Sequence, residues 1–173
     1  MSQRDSGYER KERDMYETPA WVTAALRPYL GAIQSIWEPA AGNGAMTKVF
    51  EQWELRAIDA TDIVDGFDFL TQGPRAVEAI VTNPPYAHAQ EFIQHALDLM
   101  KPNGLVAMLL RTDFDHARTR QHLFSGCGAF ATKLVLTKRI KWFEQSRGQP
   151  SFNHAWFIWD WKHRGPPILA YGP

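Results

Sequence analysis

The chain has 173 residues, enough for one domain with a substantial core, and its 45% hydrophobic and 22% charged content is that of an ordinary water-soluble protein. Nineteen Lys/Arg balance nineteen Asp/Glu, which argues against a protein that coats nucleic acid, and the longest aliphatic run, 105–110, is far too short to cross a bilayer. The single cysteine, Cys127, excludes an internal disulfide and a cysteine-rich zinc site, reads as a packed small side chain, and leaves a reducing cytoplasm as the default compartment.

In chain order, residues 1–15 are dense in both charges and nearly free of aliphatics, and read as a mobile arm without the pattern of a signal peptide. In YETPAWVTAALRPYL, Thr18 is the expected N-cap and Pro19 the first helical residue, with Trp21, Val22, Ala25, Leu26, Tyr29 and Leu30 on one apolar face. SIWEPA predicts a strand running into a glycine loop, AMTKVFEQWE a helix, RAIDATDI a second strand and AIVTN a third. HAQEFIQHALDLMKPNG predicts a helix with an Asn-Gly stop, LVAMLL a buried strand, and DHARTRQHLFSGCG a weaker helix. KLVLTKRIKWF and HAWFIWDW are two further strands with no helix between them, so they pair antiparallel as a hairpin at one edge. Residues 164–173, RGPPILAYGP, lack periodicity and read as a tail. The remaining globular part, 16–163, is one domain with no internal repeat. Strands alternating with helices predict a parallel sheet covered on both faces.

Two loops carry the chemistry. EPAAGNGAM, 38–46, follows the first strand and opens a helix, with Gly42 and Gly44 allowing a tight turn and close approach of a ligand. It is neither a dinucleotide fingerprint nor a Walker loop, which favours a ligand held without a phosphate cradle. Glu38, Ala40 and Asn43 offer a carboxylate and backbone groups to an amino-acid moiety. After the second strand, Asp59 and Asp62 compete for the place where a ribose diol is gripped in such sheets, with Asp62 favoured. Asp68-Phe69 then sets a carboxylate beside an aromatic, a pair suited to an adenine. TNPPYAH, 82–88, puts the amide Asn83 and the ring of Tyr86 on either side of Pro84-Pro85, a rigid frame that also has the simple reading of a strand-ending turn.

Taken together, YETP, EPAAGNGAM, ATDI, DFL and NPPY resemble S-adenosylmethionine-dependent amino-methyltransferases, in particular bacterial and phage DNA N6-adenine methyltransferases, over roughly residues 15–160. The resemblance implies a Rossmann-like class I methyltransferase fold, a mostly parallel seven-stranded sheet with a C-terminal antiparallel hairpin and helices on both faces. It implies S-adenosylmethionine as cofactor and no metal. Glu38, Pro39, Ala40, Gly42, Asn43 and Gly44 would hold its methionine part, Asp62 with Ile63 the ribose, and Asp68-Phe69 the adenine. Tyr16, Thr18 and Pro19 would sit over its carboxylate. The Asn83 side-chain oxygen and the Pro84 carbonyl would accept the two N–H bonds of a flat amine, held in advance by Pro84-Pro85, with Tyr86 stacking on the substrate and Asn83 shared with the cofactor site.

Charge is uneven along the chain: residues 38–78 hold eight acids against three Lys/Arg, and residues 111–147 hold eight Lys/Arg against three acids. Arg111, Lys138, Arg139 and Lys141 are therefore the candidates for phosphate contacts with DNA. Family enzymes that read a DNA sequence carry a recognition domain, for which this chain has no room, so short or no sequence preference is expected. NPPY also serves enzymes acting on a guanine amino group in ribosomal RNA or on a glutamine amide in protein, which rank second and third behind DNA adenine. A reading from another class is a non-catalytic, cofactor-binding subunit of a larger complex; as partners, besides nucleic acid, a further subunit or a second copy of the chain is open. His88, Glu91 and His95 share a helix face but do not form a zinc-protease motif, and Trp156, Phe157, Trp159 and Trp161 read as edge-strand packing, a base-stacking platform being the alternative.

Overall fold

A computed structural model describes residues 16–142 and 152–173. Strands β1 (Ser35–Glu38), β3 (Ala79–Thr82) and β4 (Leu105–Arg111) are buried almost end to end, as strands covered on both faces must be. With β2 (Ala57–Ala60), β5 (Phe130–Leu136), β6 (His154–Asp160) and β7 (Ile168–Gly172) they form one sheet in the order β2-β1-β3-β4-β6-β5-β7. Adjacent strands pair parallel except at β4–β6 and β5–β6, so β6 alone runs against the rest. The carboxyl ends of β1 to β4 and the first residue of β6 therefore meet at one edge of the sheet.

Alternate strand residues serve opposite faces. Trp37, Ile80, Val106, Met108, Phe157 and Trp159 pack beneath α3 (Ala89–Met100), whose Phe92, Ile93, Ala96, Leu97 and Met100 recur at helical spacing. On the other face Ile36, Val81, Ala107, Leu109, Trp156 and Ile158 meet α1 (Ala20–Leu26) and α2 (Thr47–Phe50). The glycine that follows α3 is required by space: a Cβ on Gly104 would stand 2.9 Å from the Met100 carbonyl oxygen.

Several elements depart from expectation. Pro19, not Thr18, caps α1, and the Thr18 hydroxyl makes no cap bond. The weak helix expected at 115–128 is two 3₁₀ turns, Phe114–His116 and Arg118–Leu123, separated by the extended residue Ala117. Here Lys133 draws Asp115 and the Thr112 carbonyl toward β5, at 2.7 and 2.8 Å. Trp156 and Trp159 lie not on an edge but on the internal strand β6. Both are fully buried, with ring N–H groups donating to the Val22 and Leu123 carbonyls at 2.8 and 2.6 Å. They cannot be a stacking platform. His95 meets the Gln72 carbonyl at 3.0 Å and packs edge-on to Phe69.

The largest correction is at the C-terminus. Residues read as a tail form β7, parallel to β5, with Thr137 Oγ1 donating to the Gly172 carbonyl at 2.9 Å. The sheet, and with it the domain, extends to Gly172. β7 escaped notice because Ile168, Leu169 and Tyr171 are 59, 57 and 65% exposed, leaving no alternation to read. The expected hairpin therefore sits one strand in from the edge. Residues 1–15, read as an arm, and residues 143–151, which lead to the predicted strand HAWFIWDW, lie outside the described residues.

Truncation after Gly165 should uncover Leu134 and Leu136 and the edge of β5. Losing that cover costs on the order of 2–3 kcal/mol, a melting temperature lower by about 5–10 °C in a chain of this size. An unchanged thermal transition would show that the segment contributes no pairing.

Candidate active site

A cavity of about 560 Å³ opens at the carboxyl edge of the sheet, a size that suits a small-molecule ligand. Its wall is built by the glycine loop, the turn after β2, the Asn-Pro-Pro turn after β3, and the YETP segment crossing above. Tyr16, Thr18, Glu38, Ala40, Gly42, Asn43, Asp62, Ile63 and Asn83 all line it, together with Pro85 and with Glu17 and Val64, which sequence reasoning had not singled out.

The glycine loop owes its shape to two left-handed residues, Gly42 (φ 52°) and Gly44 (φ 74°). Ala41 N–H donates to the Thr61 carbonyl at 3.0 Å, extending the β1–β2 ladder into the loop. Asp62 completes the tie: one carboxylate oxygen accepts from Gly42 N–H at 2.7 Å and the other caps the following turn through Val64 N–H at 3.0 Å. Asp59 is placed elsewhere. It lies in register with Trp37 and pairs with Arg75, whose guanidinium covers the Trp37 ring at 4.2 Å. Between the two acids, Asp62 is the one at the cavity.

Glu38 ends β1 and is 2% exposed. Burial pushes its carboxyl up to about 8, the neighbouring Asp62 charge adds to the rise, and a 2.6 Å hydrogen bond from Thr47 Oγ1 opposes it. Asn43 reaches across to Glu17 at 2.8 Å, joining the loop to the YETP segment. Pro19, Pro39 and Gly44 are not part of the lining. They shape backbone behind it.

Asn83 has the most telling environment. Its Nδ2 donates to the Thr18 hydroxyl at 3.3 Å and to the Tyr16 carbonyl at 3.4 Å, while its Oδ1 is buried without a partner among the described residues. The Tyr16 carbonyl can only accept, so it sets which end of the amide faces it. The oxygen is left as an orphan acceptor, a state that ordinarily costs about 1–3 kcal/mol and asks for a reason. Thr18 is thus an orienting group for Asn83 rather than a helix cap. Pro84 is buried beside it, and Tyr86 opens a 3₁₀ turn that leads into α3.

The proposed adenine pair fares differently. Asp68 caps a turn through Leu70 N–H at 3.0 Å and does not line the cavity. Phe69 is 2% exposed, held between Trp37 and Phe92 with ring centroids 5.1 and 4.8 Å away, so its face is closed to any ligand. Exposed apolar surface at the cavity comes instead from Ile63 and Val64. Of the cationic candidates, Arg111 is held by Asp113 through two bonds of 3.1 and 2.7 Å and lies over Phe152. Lys138, Arg139 and Lys141 are exposed after β5, Lys138 standing over the Trp21 ring at 5.0 Å.

His154 carries no mark in the sequence. As the first residue of the reversed strand it arrives at the carboxyl edge of the neighbouring strands, 3% exposed, with Nε2 3.0 Å from the Tyr86 hydroxyl. Burial lowers its pKa to about 4; Arg111 lowers it further, while the Phe152 carbonyl and Asp113 pull it back.

Of the described residues, no helix is long and apolar enough to cross a membrane. No protein-family model and no curated relative matches the sequence, but many solved structures match the fold. A candidate RNA methyltransferase from Pyrococcus horikoshii superposes with TM-score 0.68 at 17% identity, covering 86% of this chain and 87% of that one. A candidate class I S-adenosylmethionine-dependent methyltransferase from Listeria monocytogenes gives 0.60 at 14%, covering 87% of this chain. The methyltransferase subunit of a type I restriction-modification system from Streptococcus thermophilus gives 0.58 at 14%, covering 83%. This chain spans 62% of the length of the Listeria protein and 43% of the Streptococcus one. The fold is that of the class I methyltransferases, as the resemblance implied.

The two perturbed groups predict an unusual pH dependence for the ligand-free protein. Folded Glu38 holds a proton between pH 4.5 and 8 that the unfolded chain has lost, so its contribution falls as pH rises through that window. Folded His154 lacks, between pH 4 and 6.5, a proton that the unfolded chain binds, so its contribution rises there. The two oppose each other below pH 6.5. From pH 6.5 to 8 Glu38 acts alone, and stability should fall by roughly 2 kcal/mol. Denaturant unfolding at both pH values should show this loss in the native sequence and little of it in Glu38→Gln; the same slope in both proteins would contradict the assignment.

Proposed function

We propose that this protein transfers a methyl group from S-adenosylmethionine to an exocyclic amino nitrogen, with N6 of adenine in DNA as the first candidate. The observation that carries this reading is the buried, unpartnered Asn83 Oδ1 on the cavity wall, with its own NH₂ group tied back to Tyr16 and Thr18. An acceptor kept in this state suits a donor brought by a ligand. An aromatic amine is a poor nucleophile because its lone pair is delocalised into the ring. Accepting one N–H at Asn83 Oδ1 and the other at the Pro84 carbonyl favours tetrahedral nitrogen and frees that lone pair. Both acceptors are fixed before the substrate arrives, so the contribution is electrostatic preorganisation.

The cavity residues fit the cofactor. Its sulfonium supplies an electrophilic methyl group. Glu38 and the Gly42–Asn43 backbone would hold the amino-acid end: a buried carboxyl pushed toward neutrality is ready to ionise against an incoming ammonium. Asp62, already organised by two backbone N–H groups, would accept from the ribose hydroxyls, and Ile63 and Val64 would cover the flat base in place of Phe69. Tyr16 closes the cavity from the YETP side.

DNA ranks first because NPPY resembles the adenine enzymes and because Lys138, Arg139 and Lys141 form an exposed cationic strip after β5. The restriction-modification neighbour supports nucleic acid as the substrate class, and the Pyrococcus neighbour keeps RNA as the runner-up. Contacts from this strip would be to phosphates, positioning a strand without reading it, so sequence preference should be short or absent.

Incubation of the purified protein with labelled S-adenosylmethionine and, separately, single-stranded DNA, duplex DNA, RNA and total protein tests the reading. Label should appear as N6-methyladenine in DNA, faster on single strands because extruding a base from a duplex costs energy. Label confined to RNA or to protein would move the substrate to that class, and cofactor binding with no transfer to any of them would make the chain a non-catalytic subunit.

A further inference from the structure

We propose that His154 is a positioning residue that anchors the far end of the Tyr86 ring through the Tyr86 hydroxyl, completing an aromatic wall beside Asn83. The inference rests on the functional reading above, together with the stacking of Tyr86 on the substrate that the sequence resemblance implies.

The wall is continuous. The Tyr86 and His154 rings lie 6.4 Å apart and are bridged by the 3.0 Å Oη···Nε2 hydrogen bond. His154 meets Trp142 edge-on at 5.1 Å, Trp142 meets Tyr16 at 5.4 Å, and Tyr16 returns to Tyr86 at 6.3 Å. Tyr16 also supplies the carbonyl that orients Asn83, so the acceptor and the stacking ring share one frame.

The residue follows Pro85 in a 3₁₀ turn and is half-buried. Its hydroxyl lies on the χ2 axis, so the bond to His154 fixes where the far end of the ring stands, through χ1. His154 cannot move: it is 3% exposed on an internal strand, in register with Arg111 of β4. An imidazole buried there is costly compared with an apolar side chain. The Tyr86 bond is what the polar ring provides that a valine or phenylalanine would not. Charge on the ring would be opposed by burial and by Arg111, which keeps Nε2 in a neutral ring that can pair with a phenol.

The test is a double-mutant cycle read by two independent signals. In methyl transfer to a single-stranded adenine oligonucleotide, His154→Phe and Tyr86→Phe should each lower kcat about 3–10-fold with cofactor affinity unchanged, and the double variant should be no worse than either single one. His154→Gln, which can still pair with the hydroxyl, should recover most of the loss. The second signal needs no turnover: the imidazole ¹⁵N resonance of His154 Nε2 should shift in Tyr86→Phe. A His154→Phe loss that persists undiminished in the Tyr86→Phe background, or an unmoved Nε2 resonance, would overturn the proposal. A wild-type protein that transfers nothing would defeat the functional reading, and the resonance alone would then decide whether His154 fastens Tyr86.

Discussion

A side-chain amide is useful as an acceptor only if something else occupies its NH₂ group. That constraint organises this molecule. Asn83 sits at the end of β3, where the two prolines stop the ladder, and its Nδ2 is taken by the Thr18 hydroxyl and the Tyr16 carbonyl from a segment more than sixty residues earlier. Without that crossing segment the amide could turn over and present a donor. The YETP segment is therefore a lock on polarity as well as a wall of the cavity. Its position depends in turn on α1 below it, pinned to the sheet by Trp156, and on the Asn43–Glu17 contact to the glycine loop.

The same use of fixed dipoles appears on the side of the cavity proposed for the cofactor. Asp62 is not a loose surface acid: it is the joint between the glycine loop and the turn after β2, and its placement follows from backbone N–H groups that it satisfies. Glu38 is the opposite case, a carboxyl buried with one hydroxyl partner, and its raised pKa is the consequence. One acid is organised in advance and the other is held near neutrality. Together they give a site that can accept hydroxyls and meet a cation.

What could be read from the chain was whatever leaves a local mark. Aliphatic runs marked β3 and β4, and β1 was marked by the glycine loop that follows it; Asn-Pro-Pro marked the turn where a ladder must end. Features that depend on the facing of a side chain, or on long-range pairing, were not legible. Asp68-Phe69 has the right composition for a base, but the 3₁₀ turn that follows Asp68 drives the Phe69 ring into the core under α3. β7 pairs with β5 while leaving its large side chains in solvent, so it carries no burial pattern. His154 lies far from every motif in sequence and reaches Tyr86 only because β6 runs against its neighbours. The first residue of a reversed strand stands at the carboxyl edge of the strands beside it.

In the function proposed, the Asn83 oxygen acts on the target amine and not on the cofactor. Turnover and cofactor affinity should be measured side by side for Asn83→Ala. kcat should fall by far more than tenfold while the dissociation constant for S-adenosylmethionine changes little. Retention of more than about a tenth of kcat would limit the amide to under ~1.4 kcal/mol of barrier lowering and rule out that role.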